Sequence, residues 1–204
     1  MSDVSCPWCV IGLKSLEQAL DKVADVASAD LHFQPFELNP QMVPEGQDIG
    51  EHLAEKYGSS AEQRAQASEM IRARGAELGF AFGQRERIYN TFDAHRLLHW
   101  AGEEGLQRKL KMALFDAYFT QGDNPGDHEV LARLAGQVGL DPAEAARILA
   151  SGDYAAEVRE REQFFQRAGI HSVPAIIINQ RHLISGGQPP EVFEQALRDI
   201  VAKE

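Results

Sequence analysis

The chain has 204 residues, 44 % hydrophobic and 25 % charged, which is enough to bury a core and fits one domain enlarged by an inserted element. Its 20 Lys+Arg against 31 Asp+Glu leave a net charge of -11, which repels phosphate backbones and anionic lipid surfaces at long range and excludes nucleic acid and membrane as expected partners. No stretch approaches the roughly 18 apolar residues of a membrane span, and the opening MSDVSCPWC has neither the charged start nor the apolar run of a signal peptide, so a cytoplasmic placement is expected. The two cysteines, Cys6 and Cys9, are too few to staple a secreted fold. In a reducing compartment so close a pair is catalytic or metal-binding.

After Cys9, the apolar residues Val10, Leu13, Leu16, Leu20, Val23 and Val26 recur at three and four, the stripe of an amphipathic helix. Leu31 to Leu38 (LHFQPFEL) predicts a short strand, placed at a sheet edge by Pro35. From about Asp48 to Ala168 the pattern turns helical, with helices expected over 49–57, 61–78, 91–101, 106–119, 129–138, 142–149 and 154–168. The period then changes: Val173 to Ile178 is apolar and continuous, Asn179-Gln180 predicts a turn, and His182 to Ile184 completes a hairpin. Val192, Phe193, Ala196, Leu197, Ile200 and Val201 form a last helical stripe after Pro189-Pro190. With one strand before Cys6 the order becomes βαβ, helical insert, ββα. That is an α/β thioredoxin-like fold, with residues 1–45 and 169–204 forming the thioredoxin-like domain and 46–168 an inserted helical domain. Only Met1 to Ser5 precede Cys6, which is too few for both a strand and the loop into a helix. Residues missing before Met1, or a sheet completed in another way, are the two expectations.

Cys6 precedes a proline, which disfavours helical backbone at Cys6, while Pro7 suits the first helical position. Cys6 is therefore predicted to be the N-cap, its sulfur turned toward the unpaired N–H groups of Trp8 and Cys9, where the helix dipole favours thiolate over thiol. Cys9, one turn deeper on the same face, can attack a mixed disulfide held on Cys6. Two other readings stay open: zinc held by Cys6, Cys9 and the His95/His99 pair at HxxxH spacing, and an inert buried pair. Val173-Pro174 opens the Ile-rich strand. A cis bond there, beside the dithiol, would leave the Val173 backbone free to pair with an extended substrate and would keep a metal from the sulfurs.

CPWC opening a helix, a long helical insert, VPAIII and the SGGQPPEVF segment together resemble the DsbA-like thioredoxin-fold oxidoreductases, most closely their FrnE branch. The resemblance implies a redox dithiol at Cys6 and Cys9, a cis-proline at Pro174, and a segment of Asn90, Thr91, Ala94, His95 and Arg96 lying over the active site. It implies substrate contacts from Pro7, Trp8, Val173, Pro174, Asn90 and His95, and no metal or cofactor, with glutathione as a redox partner. Helix capping by Asn90 or Thr91, with Asp93 in the first turn, accounts for the same segment without a binding role. The 2-hydroxychromene-2-carboxylate isomerases and kappa-class glutathione transferases are similar across the fold. They carry serine where this chain has Cys6, and an acidic residue in the loop that here runs Ser185, Gly186, Gly187, Gln188. The paired glycines of that loop suffice as a turn into a helix without anion binding. Trp8 lines a substrate groove or anchors the two domains to each other. A disulfide-containing protein or small-molecule thiol substrate is expected, with the direction of exchange and the oligomeric state open.

Overall fold

The structure, a computed structural model, describes residues 1–203. Pro7, with its φ already helical, begins α1 (Pro7–Lys22), and Cys6 stands before it in extended backbone at φ -95° and ψ 112°. The inward stripe of α1 packs Leu16 and Ala19 against Phe193 and Leu197 of α9 (Pro190–Val201). On the same side lies an antiparallel hairpin of β3 (Ala175–Ile178) and β4 (His182–Ser185), with Ala175 opposite Ser185. Asn179 and Gln180 both have left-handed backbone, φ 50° and 58°, as the centre of the turn closed by Arg181 N on Ile178 O requires.

The residues before Cys6 form no strand, and they join the sheet in the other way that was expected, by isolated pairing. The amino group of Met1 donates to Ala175 O at 2.6 Å and Ala175 N to Met1 O at 3.2 Å, while Ser2 N donates to Gln34 O at 3.2 Å beside a parallel bridge from Ser2 to Pro35. The order across the fold is therefore the segment at 34–35, residues 1–2, β3, β4. The strand expected over Leu31 to Leu38 shrinks to that single bridge. Pro35 has no N–H to offer, and the backbone N–H and C=O of Phe33 are taken by the Gln107 side chain at 2.9 and 3.0 Å.

The helical region follows its sequence pattern closely: α2 (Ile49–Tyr57), α3 (Ala61–Glu77), α4 (Phe92–Glu103), α5 (Gln107–Phe115), α6 (His128–Gln137), α7 (Pro142–Ala150) and α8 (Ala155–Arg167). Asp48, Ser60, Asp127 and Asp141 accept first-turn N–H groups of α2, α3, α6 and α7, and Ser60 with Gln63 forms a reciprocal capping box. The single helix expected over 106–119 instead widens at Asp116 into a six-residue π-helical turn, Asp116–Gln121. The turn leaves Phe115, Tyr118 and Phe119 all buried in one cluster with Cys6, Cys9 and Val10. A two-residue antiparallel ladder, β1 (Gln47–Asp48) with β2 (Arg87–Ile88), was not foreseen.

α4, α5, α6 and α7 meet around Leu97, Leu110, Leu114, Leu131 and Ile148, and Val4 reaches into that core from the segment before Cys6. No helix among the described residues is long and apolar enough to cross a membrane. The buried Arg96 of α4 fixes the turn between α7 and α8. Its guanidinium donates to Ile148 O, to Ser151 O at 2.7 Å, to Asp153 O at 2.8 Å and to the Asp93 carboxylate at 2.8 Å. Arg96→Ala strands the Ser151 and Asp153 carbonyls and leaves the Asp93 carboxylate to His128 alone, and is expected to cost about 3 kcal/mol in urea unfolding. Arg96→Lys should recover less than half of that, because an ammonium cannot reproduce the fork.

Candidate active site

Cys6 and Cys9 are both free thiols, buried at the start of α1. Cys9 N donates to Cys6 O at 3.0 Å, so the first turn is closed by backbone. The Cys6 sulfur makes no capping bond to the helix N–H groups. It turns instead to Val173 O at 3.9 Å, which corrects the expected direction: the long-range approach of the Val173 loop decides where the thiol points. The Val173–Pro174 peptide bond is cis.

Two glycines let these pieces close on one another. A Cβ on Gly12 would stand 3.2 Å from the Pro174 ring, and one on Gly187 would stand 3.0 Å from Trp8 O. The missing side chains thus allow the Ser185 to Gln188 loop to lie against the start of α1. Trp8 is half-buried, with Gly187 on one side and the Arg74 guanidinium 5.7 Å from its ring centroid. It both borders Cys6 and joins α1 to α3.

Two charged residues that sequence reading missed lie behind the thiols. Lys111 of α5 is fully buried, 4.9 Å from the Phe115 ring centroid, and its ammonium has one distant acceptor, Ser2 O at 3.4 Å. Burial pushes Lys111 down to about 8, against the opposing pull of Cys9, Asp3 and Cys6. Burial pushes the Cys9 thiol well up, Cys6 adds to this, and the Lys111 charge opposes it. A lysine on the same helical stripe as Leu110, Leu114 and Phe115 was the available signal. Asp3 is also fully buried; it accepts from Ser5 N at 3.1 Å and Leu38 N at 2.6 Å, and His95 Nε2 lies 3.7 Å away. Burial raises its carboxyl, but His95 and the two N–H donors more than offset that and hold it below the usual carboxylate range.

The Asn90 side chain is committed within the chain. It accepts from Phe92 N at 2.9 Å, capping α4, and donates to Met42 O at 3.2 Å. Thr91 makes no side-chain cap. His95 turns inward to Asp3 and borders a cavity of about 260 Å³ shared with Pro35, His99, Gln107, Lys111 and Arg161. His99 faces Glu103 at 3.9 Å and Tyr154, ring to ring, at 5.3 Å. The four residues of the zinc reading are not gathered, and no three His, Cys, Asp or Glu among the described residues are grouped to hold a metal.

A dithiol at the head of a helix, a proline-led strand beside it and a helical insert between the two halves define a thioredoxin-fold protein of the thiol–disulfide oxidoreductase-like class. Residues 1–198 match the DSBA-like thioredoxin domain, and the chain belongs to that family. It is similar to the crystal structure of a probable DsbA oxidoreductase from Streptomyces coelicolor, at 35 % identity and TM-score 0.93, covering 100 % of this chain and 88 % of that one. An uncharacterised Bacillus subtilis protein, YwbO, is 29 % identical over 100 % of this chain and 96 % of its own. Two more distant structures share the fold. The cytosolic disulfide reductase DsbM of Pseudomonas aeruginosa, solved with glutathione, is 18 % identical with a TM-score of 0.66, covering 98 % and 96 % of the two chains. A 2-hydroxychromene-2-carboxylate isomerase is 14 % identical with a TM-score of 0.72, covering 99 % and 94 %.

The depressed Lys111 makes a signed prediction. Between about 8 and the ordinary 10.5 the unfolded chain binds the proton that the folded chain has released, so this group adds stability as pH rises through that window. Lys111→Met is expected to be more stable than wild type at pH 7, with an advantage that shrinks as pH climbs from about 8 toward 10.5. Denaturant unfolding of the two proteins at stepped pH reads the difference, with Cys9→Ser in both so that the thiol beside Lys111 does not titrate.

Proposed function

We propose that the protein is a thiol–disulfide oxidoreductase acting on protein or small-molecule disulfides, with Cys6 as nucleophile and Cys9 as resolving thiol. The observation that carries the reading is the pair of free thiols at the head of α1, with the Cys6 sulfur 3.9 Å from the Val173 carbonyl. The Cys6 thiolate attacks a substrate disulfide RS–SR′, forming Cys6–SR and releasing R′S⁻, which takes up a proton. Cys9 gives up its proton and attacks the Cys6 sulfur. This forms the Cys6–Cys9 disulfide and releases RS⁻, so the substrate gains two electrons and two protons while the dithiol loses them. A second thiol, glutathione in the simplest case, restores the pair, and the reverse sequence is the same chemistry.

Within this reading each expected residue has a task. Pro7 begins the helix that presents Cys6, Trp8 and Pro174 border the thiol, and the Val173 backbone offers an edge to an extended substrate. Asn90 and His95 act through the scaffold, holding α4 and the Asp3 loop in place. Lys111, beside Cys9, supplies the positive charge that favours its deprotonation in the resolving step. Residues 1–45 and 169–204 serve as the redox unit, residues 46–168 as its cover, and a reducing cytoplasm as its setting.

The likeness to the isomerase favours a second reading, a glutathione-dependent isomerase or transferase in which Cys6 binds the thiol without net redox turnover. Insulin reduction by dithiothreitol separates the two. Wild type should accelerate it, Cys6→Ser should return it to the uncatalysed rate, and Cys9→Ser should accumulate a mixed disulfide visible by mass spectrometry. Insulin reduction that survives Cys6→Ser sinks the oxidoreductase reading. Glutathione-dependent isomerisation undiminished in Cys9→Ser would establish the second.

A further inference from the structure

α2 and α3 bury almost nothing. α2 has no buried residue and α3 only Gly75, although both carry large apolar side chains. Ile49, Leu53, Met70 and Ile71 face a groove of about 1000 Å³, closed on its far side by Phe82 and Arg85. Tyr57 and Met70 at its border are 62 % and 48 % exposed, an apolar display that a solvated surface does not need.

Charge in the groove runs against that of the chain. Arg64, Arg72 and Arg85 line it against one acid, Glu86, in a protein with a net charge of -11. None of the three pairs with a carboxylate among the described residues, whereas Arg96, Arg108, Arg133, Arg147, Arg159 and Arg198 all do. Arg64 donates to Ser59 O, and Arg85 donates to Tyr118 and stacks on Phe119. Arg72 is exposed and has no partner among the described residues. At physiological salt the screening length is about 8 Å, so a ligand in the groove responds to these guanidinium groups more than to the distant net charge.

The groove also borders the apolar cluster that holds the thiols. Tyr57 is close enough for the Cys6 charge to raise its hydroxyl, after the effect of burial. Arg74 of α3 lies over Trp8, and Phe82 belongs to the same apolar cluster as Cys6.

We propose that the groove between α2 and α3 seats the stretch of a substrate polypeptide next to its disulfide, and that it selects an extended segment with an apolar side chain flanked by carboxylates. The inference rests on the thiol–disulfide reading for the disulfide itself, while the groove's chemistry stands on its own residues. Apolar contacts fill the space between the helices, and the arginines, whose charge no carboxylate among the described residues neutralises, choose the sign of the flanking charge.

The test uses dye-labelled peptides of equal length with serine in place of cysteine, so that binding is read without redox chemistry. One flanks a phenylalanine with glutamates, the other with lysines. Fluorescence anisotropy should show the acidic peptide binding at least about ten-fold tighter to the full chain, with the preference falling as salt rises. Arg72→Glu should weaken it about five-fold, as should Met70→Glu. Both side chains are exposed, so an unchanged unfolding midpoint shows that the fold is intact. Equal or tighter binding of the basic peptide overturns the proposal, as does acidic-peptide binding indifferent to both substitutions. A dimer in sedimentation that Met70→Glu dissolves would give the groove to a second copy and also overturn it. Wild-type turnover of the uncharged bis(2-hydroxyethyl) disulfide reports on the oxidoreductase reading separately, so a failure there leaves the peptide preference to decide the role of the groove.

Discussion

A fully buried carboxylate, Asp3, ties the segment before Cys6 to the rest of the molecule. Its two oxygens accept the backbone N–H groups of Ser5 and Leu38, and His95 of α4 lies at ion-pair distance. Three stretches remote in sequence therefore meet at one charge: the entry to α1, the chain at 31–38, and the inserted helices. An ionised carboxyl survives in such a place only because donors replace its water, and here those donors are the elements that must be held together. The position of Cys6 follows, because the loop that presents it is pinned at Asp3 on one side and closed by Val173 on the other.

The thiols lie on the seam between two packing systems. Leu16, Ala19 and Phe193 belong to the sheet side, Leu97, Leu110 and Leu131 to the helical side, and Cys6 and Cys9 to a third cluster rich in aromatic residues between them. Burying the dithiol there has an electrostatic consequence. Cys9 is driven toward its neutral form and Lys111 toward its own, each by loss of water, and each is the nearby charge that limits the shift of the other. Opposed desolvation of an acid and a base side by side reverses their ordinary order of proton affinity, so that Cys9 rests as a thiol and the ammonium gives up its proton first.

Much of the helical architecture was legible because a 3.6-residue period and a cap are local signals. The bounds of α2 were read directly, those of α3 to one residue, and Asp48, Ser60, Asp127 and Asp141 mark starts by capping chemistry. The turn at Asn179-Gln180 is also local. The sheet was less legible. Pairing of Ser2 with Gln34 and of Met1 with Ala175 joins residues far apart in the chain, and no period within five residues announces it. The π-helical turn at Asp116 escaped for a related reason: the apolar stripe looks the same whether the helix keeps its pitch or widens to bury Tyr118 and Phe119 together.

The sequence alone determined that two thiols stand three residues apart where a proline begins a helix, and that a long helical insert separates them from a proline-led strand. Those features depend on neighbouring residues. Tertiary structure decided which way the Cys6 sulfur points, that Arg96 clamps a turn, and that Asp3 and Lys111 stand behind the dithiol. It also gathered three arginines, none ion-paired among the described residues, along one groove of an acidic protein. Net charge sums over the whole chain, whereas a ligand feels only what the fold gathers within a few ångströms of it.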